Sequence, residues 1–266
     1  MKLRNDYETM ALERIDDHIL LLTLDRPEVL NAVNTQMGLE RKEIFESLYV
    51  DAQDVRCVII TGRGERAFCA GGDLKERNGM TDTQWKQQHA IFEQAGNALR
   101  ACPVPVIAAV NGVAYGGGTE LALSCDFIYA SKTARFALTE VKLGIMPGGM
   151  GTINMPNAVG ERRAKELVLS AKPIDADLAY EWGLVNKVCE PDKLIDDTLE
   201  IAHAIGANAP LSVMRAKQSL SIATQLDRGN AMQFELEAYN RLVGTEDRLE
   251  GVRAFNEKRK PNWKSR

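Results

Sequence analysis

The sequence predicts an α/β core continued by an all-helical C-terminal extension. Three observations predict it. Short apolar runs rich in Val and Ile alternate with amphipathic periodicity up to about residue 190. Beyond that point only helical patterning is found. The third is a quasi-repeat: Val58-Ile-Ile-Thr-Gly62 leads into Ala70-Gly-Gly-Asp73, and Val106-Ile-Ala-Ala-Val110-Asn-Gly112 leads into Ala114-Tyr-Gly-Gly-Gly-Thr-Glu120. Each unit reads as strand, turn glycine, glycine-rich loop and helix start, so two such loops face one cleft.

In chain order, His18 to Leu24 reads as a strand ended by Asp25-Arg26-Pro27. Met37, Leu39, Ile44, Phe45 and Leu48 give an amphipathic helix over about 35–48. Val55 to Thr61 is a strand closed by Gly62, and a helix over about 83–100 places Trp85, Phe92 and Leu99 near one face. Pro103 to Val110 is an apolar run without alternation, which predicts a strand buried on both faces. Asp126 to Ala130 is a further strand. Helical patterns follow over about 161–170, 175–182 and 191–207, and from 210 nearly to 259.

The chain has 266 residues, 45 % hydrophobic and 26 % charged, with a formal net charge of -4. That composition is ordinary for a folded globular protein. A mildly acidic chain lacks the electrostatic footprint for nucleic acid, and the basic cluster from Lys258 to Lys264 is the one local exception. The five cysteines, Cys57, Cys69, Cys102, Cys125 and Cys189, are widely spaced and contain no C-x-x-C pair. That pattern argues against a disulfide framework and a zinc site and suits a reducing cytosol. No signal peptide is visible and no apolar run reaches the length of a membrane span, so a cytoplasmic protein is expected. His18, His89 and His203 belong to no nucleophile–histidine motif.

Three kinds of ligand want a glycine-rich loop at a helix start. A P-loop ends in G-K-[ST], whereas Gly118 is followed by Thr119-Glu120. A dinucleotide fingerprint is incomplete: Gly116 to Leu121 reads G-x-G-x-x-L, with Glu140 as the candidate downstream acid. The third ligand is an oxygen that becomes negative during reaction, held by backbone N–H groups at a helix N-terminus. Close packing of helix on strand is the plainer purpose of such glycines. Two glutamates weigh in. Glu120 lies among small apolar residues, and Glu140 precedes a Gly/Pro-rich turn. Carboxylates in poorly solvated loops are costly. If they share a site, one holds a proton near neutral pH. An acid and a base beside an oxyanion hole move protons next to a thioester or ketone carbonyl. Taken singly, either glutamate reads as a helix cap or an ion-pair partner.

Several motifs in order resemble the crotonase superfamily, the enoyl-CoA hydratase/isomerase family. They are Arg26-Pro-Glu-Val-Leu-Asn-Ala32, Phe68-Cys-Ala-Gly-Gly-Asp-Leu74, and Asn111-Gly-Val-Ala-Tyr-Gly-Gly-Gly-Thr-Glu120. Phe136 to Gly151, Ala179 to Val185 and Ala254-Phe-Asn-Glu-Lys-Arg259 with Pro261 continue the match over nearly the whole chain. The resemblance implies a crotonase-type spiral of ββα units over residues 1–200 and a C-terminal helical trimerisation region over 201–266. It implies an oxyanion hole from the amides of Gly72 and Gly117. Ala70, Gly72, Asp73, Leu74 and Lys75 lie along the CoA arm, and Phe255 and Lys258 reach its nucleotide end. It implies Glu120 as the base on water and Glu140 as the donor of the α-proton, in hydration of an enoyl-CoA to a 3-hydroxyacyl-CoA. CoA is the substrate's handle, no metal or redox cofactor is implied, and the assembly is a homotrimer or a homohexamer of paired trimers. The expected setting is fatty acid metabolism.

The chain departs from the family in two places. Met150-Gly-Thr-Ile-Asn-Met155 replaces the common G-G-T-Q-R-L, and Asn157 stands where arginine is common. These bear on acyl specificity and subunit packing. Trp85, His89 and Phe92 form either an acyl-pocket wall, which would favour a short or unusual acyl group, or plain core. Rival reactions on the same scaffold are an enoyl-CoA isomerase, a carnitinyl-CoA dehydratase and a methylthioacryloyl-CoA or methylglutaconyl-CoA hydratase. Rivals of another kind are a non-catalytic RNA-binding relative and a structural subunit with a dead site.

Overall fold

The computed structural model of the protein describes residues 3, 4 and 6–266. Its strands are β1 (Met10–Arg14), β2 (Ile19–Leu24), β3 (Cys57–Gly62), β4 (Ala67–Cys69), β5 (Val106–Val110), β6 (Val113–Tyr115), β7 (Phe127–Ser131), β8 (Arg135–Ala137), β9 (Ile174–Asp175) and β10 (Lys187–Cys189). Its helices are α1 (Thr35–Val50), α2 (Leu74–Arg77), α3 (Asp82–Ala101), α4 (Gly117–Ser124), α5 (Gly151–Val159) and α6 (Glu161–Ser170). They continue with α7 (Ala176–Glu181), α8 (Leu194–Gly206), α9 (Pro210–Ala223), α10 (Arg228–Val243) and α11 (Glu246–Asn256).

A larger sheet has the order β1-β2-β3-β5-β7-β10, and a smaller one β4-β6-β8-β9. In the larger sheet β2, β3, β5, β7 and β10 pair in parallel, and β1 pairs antiparallel to β2. Period-two alternation divides its side chains between two cores. Leu20, Leu22, Val58, Ile60, Val106, Ala108 and Val110 enter the main core with Ile44, Phe45 and Leu48 of α1. Ile19, Cys57, Ile59, Ile107 and Ala109 enter the other, with Leu194 and Ala202 of α8. The continuous apolar run at β5 is therefore covered on both faces. Gly38 lets α1 and α3 approach closely, because a Cβ there would stand 2.8 Å from the Phe92 ring.

The spiral repeats one unit three times. β3 runs into β4 and α2, β5 into β6 and α4, and β7 into β8 and a 3-10 turn over Glu140–Leu143. The first strand of each unit joins the larger sheet and the second joins the smaller. Because β4, β6 and β8 are parallel neighbours, their C-terminal ends lie side by side. That edge is where a parallel sheet presents its loops to a ligand. It gathers the Ala70–Asp73 loop, the Gly116–Glu120 loop and the Glu140 turn.

The helix expected from 210 nearly to 259 is three helices. Asp227 accepts from the amides of Gly229 and Asn230, and Thr245 accepts from the Arg248 amide, so each caps a new helix start. β4, β6 and β8 are three residues each, too short to show alternation. α5 begins on Gly151 and contains Pro156, a composition that reads as turn. α8 crosses residue 200 as one helix packed on the sheet. Among the described residues no helix is long and apolar enough to cross a membrane.

Candidate active site

Gly71 and Gly116 set the two loops. Gly71 has φ +99°, and a Cβ on it would lie 2.8 Å from the Tyr115 carbonyl oxygen and 3.4 Å from the Gly117 nitrogen. Gly116 has φ +51° and immediately precedes α4. Only glycine adopts both conformations at no steric cost. Gly118 locks the loops together, since a Cβ there would stand 2.0 Å from the Cys69 carbonyl oxygen. A Cβ on Gly117 would sit 3.8 Å from the Gly72 nitrogen, so the two residues face one point. Among the described residues, neither the Gly72 nor the Gly117 amide donates to a protein acceptor. Gly117 also stands at the positive end of α4.

Side chains outside the expected site hold this frame. Asn31 is fully buried, accepts from the Arg26 amide at 3.0 Å, and donates to the Arg63 and Ala67 carbonyls at 3.1 and 2.9 Å. Asn111 plays the matching part in the second unit, accepting from the Gly62 amide at 3.1 Å and donating to the Gly62 and Gly64 carbonyls at 2.9 and 2.6 Å. Thr119 donates its hydroxyl to the Ala114 and Ala137 carbonyls, tying α4 to β6 and β8. Asp73 caps α2 through the Lys75 and Glu76 amides and pairs with Arg26 at 2.9 Å. Burial pushes its carboxyl up, but Arg26 and the cap amides hold it below the usual range.

The two glutamates sit in unlike surroundings. Glu120, in the first turn of α4, is buried, and its Oε1 accepts from the Gly149 amide at 2.7 Å and the Gly151 amide at 2.9 Å. A Cβ on Gly149 would stand 2.7 Å from Glu120 Oε2, and one on Gly151 would stand 2.8 Å from Oε1, so glycine is required at both. Desolvation raises the Glu120 pKa, while the two amides and the charge of His89 oppose the rise. Glu140 opens the 3-10 turn and is also buried. Among the described residues neither of its carboxyl oxygens has a hydrogen-bond partner from another residue, and only its own backbone amide lies near enough to oppose the desolvation. Desolvation, with a smaller push from the Glu120 charge, lifts it to about 7. A Cβ on Gly116 would lie 3.0 Å from Glu140 Oε1, which places this carboxyl beside the second glycine loop.

The chain matches known proteins over nearly its whole length. The family model "Enoyl-CoA hydratase/isomerase" matches residues 14–266. The chain belongs to the enoyl-CoA hydratase/isomerase family. A short-chain-enoyl-CoA hydratase of Clostridium acetobutylicum is 41 % identical over 255 residues, 96 % of this chain and 97 % of that protein. A crotonyl-CoA hydratase of Syntrophomonas wolfei is 38 % identical over 260 residues, 98 % of this chain and 99 % of that one. The crystal structure of an enoyl-CoA hydratase from Bacillus anthracis matches with a TM-score of 0.95 at 39 % identity, covering 97 % of this chain and all of that one. As a family member the protein has the crotonase fold and is an enzyme of the hydro-lyase class.

Of the residues expected at this family member's site, Ala70, Gly72, Asp73, Gly117, Glu120 and Glu140 gather at one sheet edge. Leu74 and Lys75 follow on the exposed side of α2. Phe255 and Lys258 are exposed, in α11 and just beyond it. Phe255 is 84 % exposed on α11, and the hydrogen bonds that hold the C-terminal tail run to Glu250, Asp247 and Ala207. The sequence reading missed the amides of Gly149 and Gly151 as partners of Glu120. The glycines of Pro147-Gly-Gly-Met-Gly151 were the signal available for them.

Proposed function

We propose that the protein is an enoyl-CoA hydratase. The observation that carries this reading is the pair of buried glutamates in opposite environments beside two free loop amides. Glu140, raised to about 7 by desolvation, is protonated in a large share of molecules at neutral pH and can serve as the acid. Glu120, bound by two amides, is the better base. The thioester oxygen accepts from the amides of Gly72 and Gly117 and takes up negative charge as the reaction proceeds. Such a hole contributes roughly 3 kcal/mol per donor. Glu120 removes a proton from water as its oxygen bonds to C3. Electrons move from the double bond toward the thioester, and Glu140 delivers its proton to C2. One proton then passes back between the carboxyls, and the oxidation state is unchanged, so neither a metal nor a redox cofactor has a part.

The CoA arm runs past Ala70, Asp73, Leu74 and Lys75. Phe255 and Lys258, exposed at the end of α11 and just beyond it, reach its nucleotide end from a neighbouring subunit. Exposed apolar residues on α10 and α11, among them Leu236, Tyr239, Leu249 and Val252, support assembly. Light scattering on the eluting protein should give the mass of three or six chains. We place the enzyme in the cytoplasm.

The decisive assay is loss of the conjugated-thioester absorbance of crotonyl-CoA. The expected result is rapid loss that Glu120→Ala and Glu140→Ala each abolish. A folded protein that binds CoA thioesters but leaves crotonyl-CoA and other enoyl-CoA substrates unchanged would overturn hydration. A gel shift at physiological salt separates this reading from an RNA-binding relative, and the expected result is none.

A further inference from the structure

We infer that the acyl end of this cleft selects a thioester whose acyl group carries its own carboxylate, anchored by Arg77. The inference rests on the acyl-CoA reading above and names the class of acyl group. Arg77 ends α2, and a Cβ on Gly72 would stand 3.5 Å from both its Cζ and an Nη. The guanidinium therefore borders the loop that holds the thioester.

It is also pre-oriented. Its Cζ lies 4.2 Å from the Trp85 ring centroid and 5.5 Å from that of Phe92. Its Nε donates to Gln88 Oε1 at 2.8 Å. Gln88 is buried and fixed in turn, donating to Glu76 Oε2 at 2.7 Å and Thr35 Oγ1 at 2.9 Å. Trp85, Gln88, His89 and Phe92 share one face of α3 by helical spacing. His89 presses on the other flank of the site, where a Cβ on Gly148 would meet its ring at 2.8 Å. One helix face thus runs from Arg77 to the loop that binds Glu120.

What this cation lacks is an acid. Among the described residues, no carboxylate lies within 4.0 Å of Arg77, and its two Nη groups donate to no protein acceptor. Glu76, whose charge it feels, is turned to the Thr35 amide and Gln88. Arg26, Arg63 and Arg259 are paired with Asp73, Asp25 and Glu250, and Arg56 donates to the Gly206 carbonyl, whereas both Arg77 Nη groups are left open at the binding loop. The Trp85 and Phe92 rings and Gln88 hold the guanidinium from one side, and its open Nη fork is left for an anionic ligand beside the binding loop. Burial accordingly pushes the Arg77 pKa down. The open Nη fork matches a carboxylate in two parallel hydrogen bonds, whereas an alkyl acyl group would desolvate it for nothing.

The test compares pairs of thioesters that differ only by a terminal carboxylate. Binding of glutaryl-CoA and butyryl-CoA is measured by calorimetry, and hydration of glutaconyl-CoA and crotonyl-CoA is followed in parallel, for wild type, Arg77→Met and Arg77→Lys. The expected wild type prefers the carboxylate member of each pair. Arg77→Met should lower that preference about 100-fold, and Arg77→Lys should restore part of it. Each ratio is taken within one variant, so a general loss of stability cancels. A wild type with no preference, or a ratio unmoved by Arg77→Met, overturns the inference. An equal loss on both members would place the guanidinium at the thioester they share, and also overturns it. Preference in binding without hydration of either enoyl-CoA would sink the hydratase reading and keep the anchor.

Discussion

The pockets of Glu120 and Glu140 are built from the same materials and surround their carboxyls differently. Both follow the second strand of a ββα unit, both are buried, and both lie against glycine. The Glu120 pocket offers two backbone donors to one oxygen. Among the described residues no other residue donates to Glu140, whose own amide is the only nearby donor. Burial alone therefore does not decide what a carboxyl can do. The number of donors aimed at it sets how strongly desolvation is opposed: two amides and His89 oppose it at Glu120, and only its own amide does so at Glu140.

The largest test of that comparison removes the carboxyls. Glu120→Gln and Glu140→Gln should each lower kcat by about 10²–10⁴-fold. The double variant should lose little more than the worse single one, because the pair acts as a unit. Independent, multiplying losses would show that the two pockets do not serve one step. The next test makes the pockets alike. Gly151→Ala sets a Cβ 2.8 Å from Glu120 Oε1 and 2.9 Å from the Pro147 side chain, so the cradle must open. Displacing the base should cost about 100-fold in kcat, with the circular dichroism spectrum retained.

Titration sharpens the contrast. If Glu140 must be protonated, kcat/KM should fall about tenfold per pH unit above about 7. Stability carries the same signature. The folded-state pKa of Glu140 is raised from 4.5 to about 7. Its stabilising contribution is then fully present below 4.5 and lost as pH rises through about 7. Urea titrations from pH 4 to 8 should show this decline in wild type and a flatter curve in Glu140→Gln. The smallest effect on turnover should come from the frame. Asn31→Ala removes three hydrogen bonds from a fully buried side chain. It should cost about 1–3 kcal/mol of stability, read by urea unfolding, while leaving kcat within a few-fold.

Much of this was legible in the sequence because it is written in backbone requirements. The runs at β2, β3, β5 and β7 were readable from length and apolarity, and the glycine loops from their composition. Two of the three ββα units were visible because each carries a glycine-rich loop. The third was hidden: Arg135–Ala137 is too short to alternate, and its loop ends in Thr139 and Glu140 rather than glycines. Glu140 was recognised without its structural equivalence to the glycine loops. The cradle of Glu120 was not legible, since amides donated from residues 149 and 151 leave no mark on residue 120. Nor was the isolation of Arg77, because a missing partner is a property of the folded surroundings.

Gly118, with no room for even one carbon before the Cys69 carbonyl, has a consequence beyond this reaction. The spacing of the Gly72 and Gly117 amides is set by main chain against main chain. Codon changes away from Gly71, Gly116 and Gly118 leave that spacing untouched, while a change at Gly118 drives a carbon into the Cys69 carbonyl. The acids, by contrast, are ordinary side chains on separate turns, each replaceable by one mutation. On the proposed reading, the thioester grip is then insulated from most drift while the acids beside it stay open to revision. A lineage can try new reactions on this scaffold without first losing hold of the substrate.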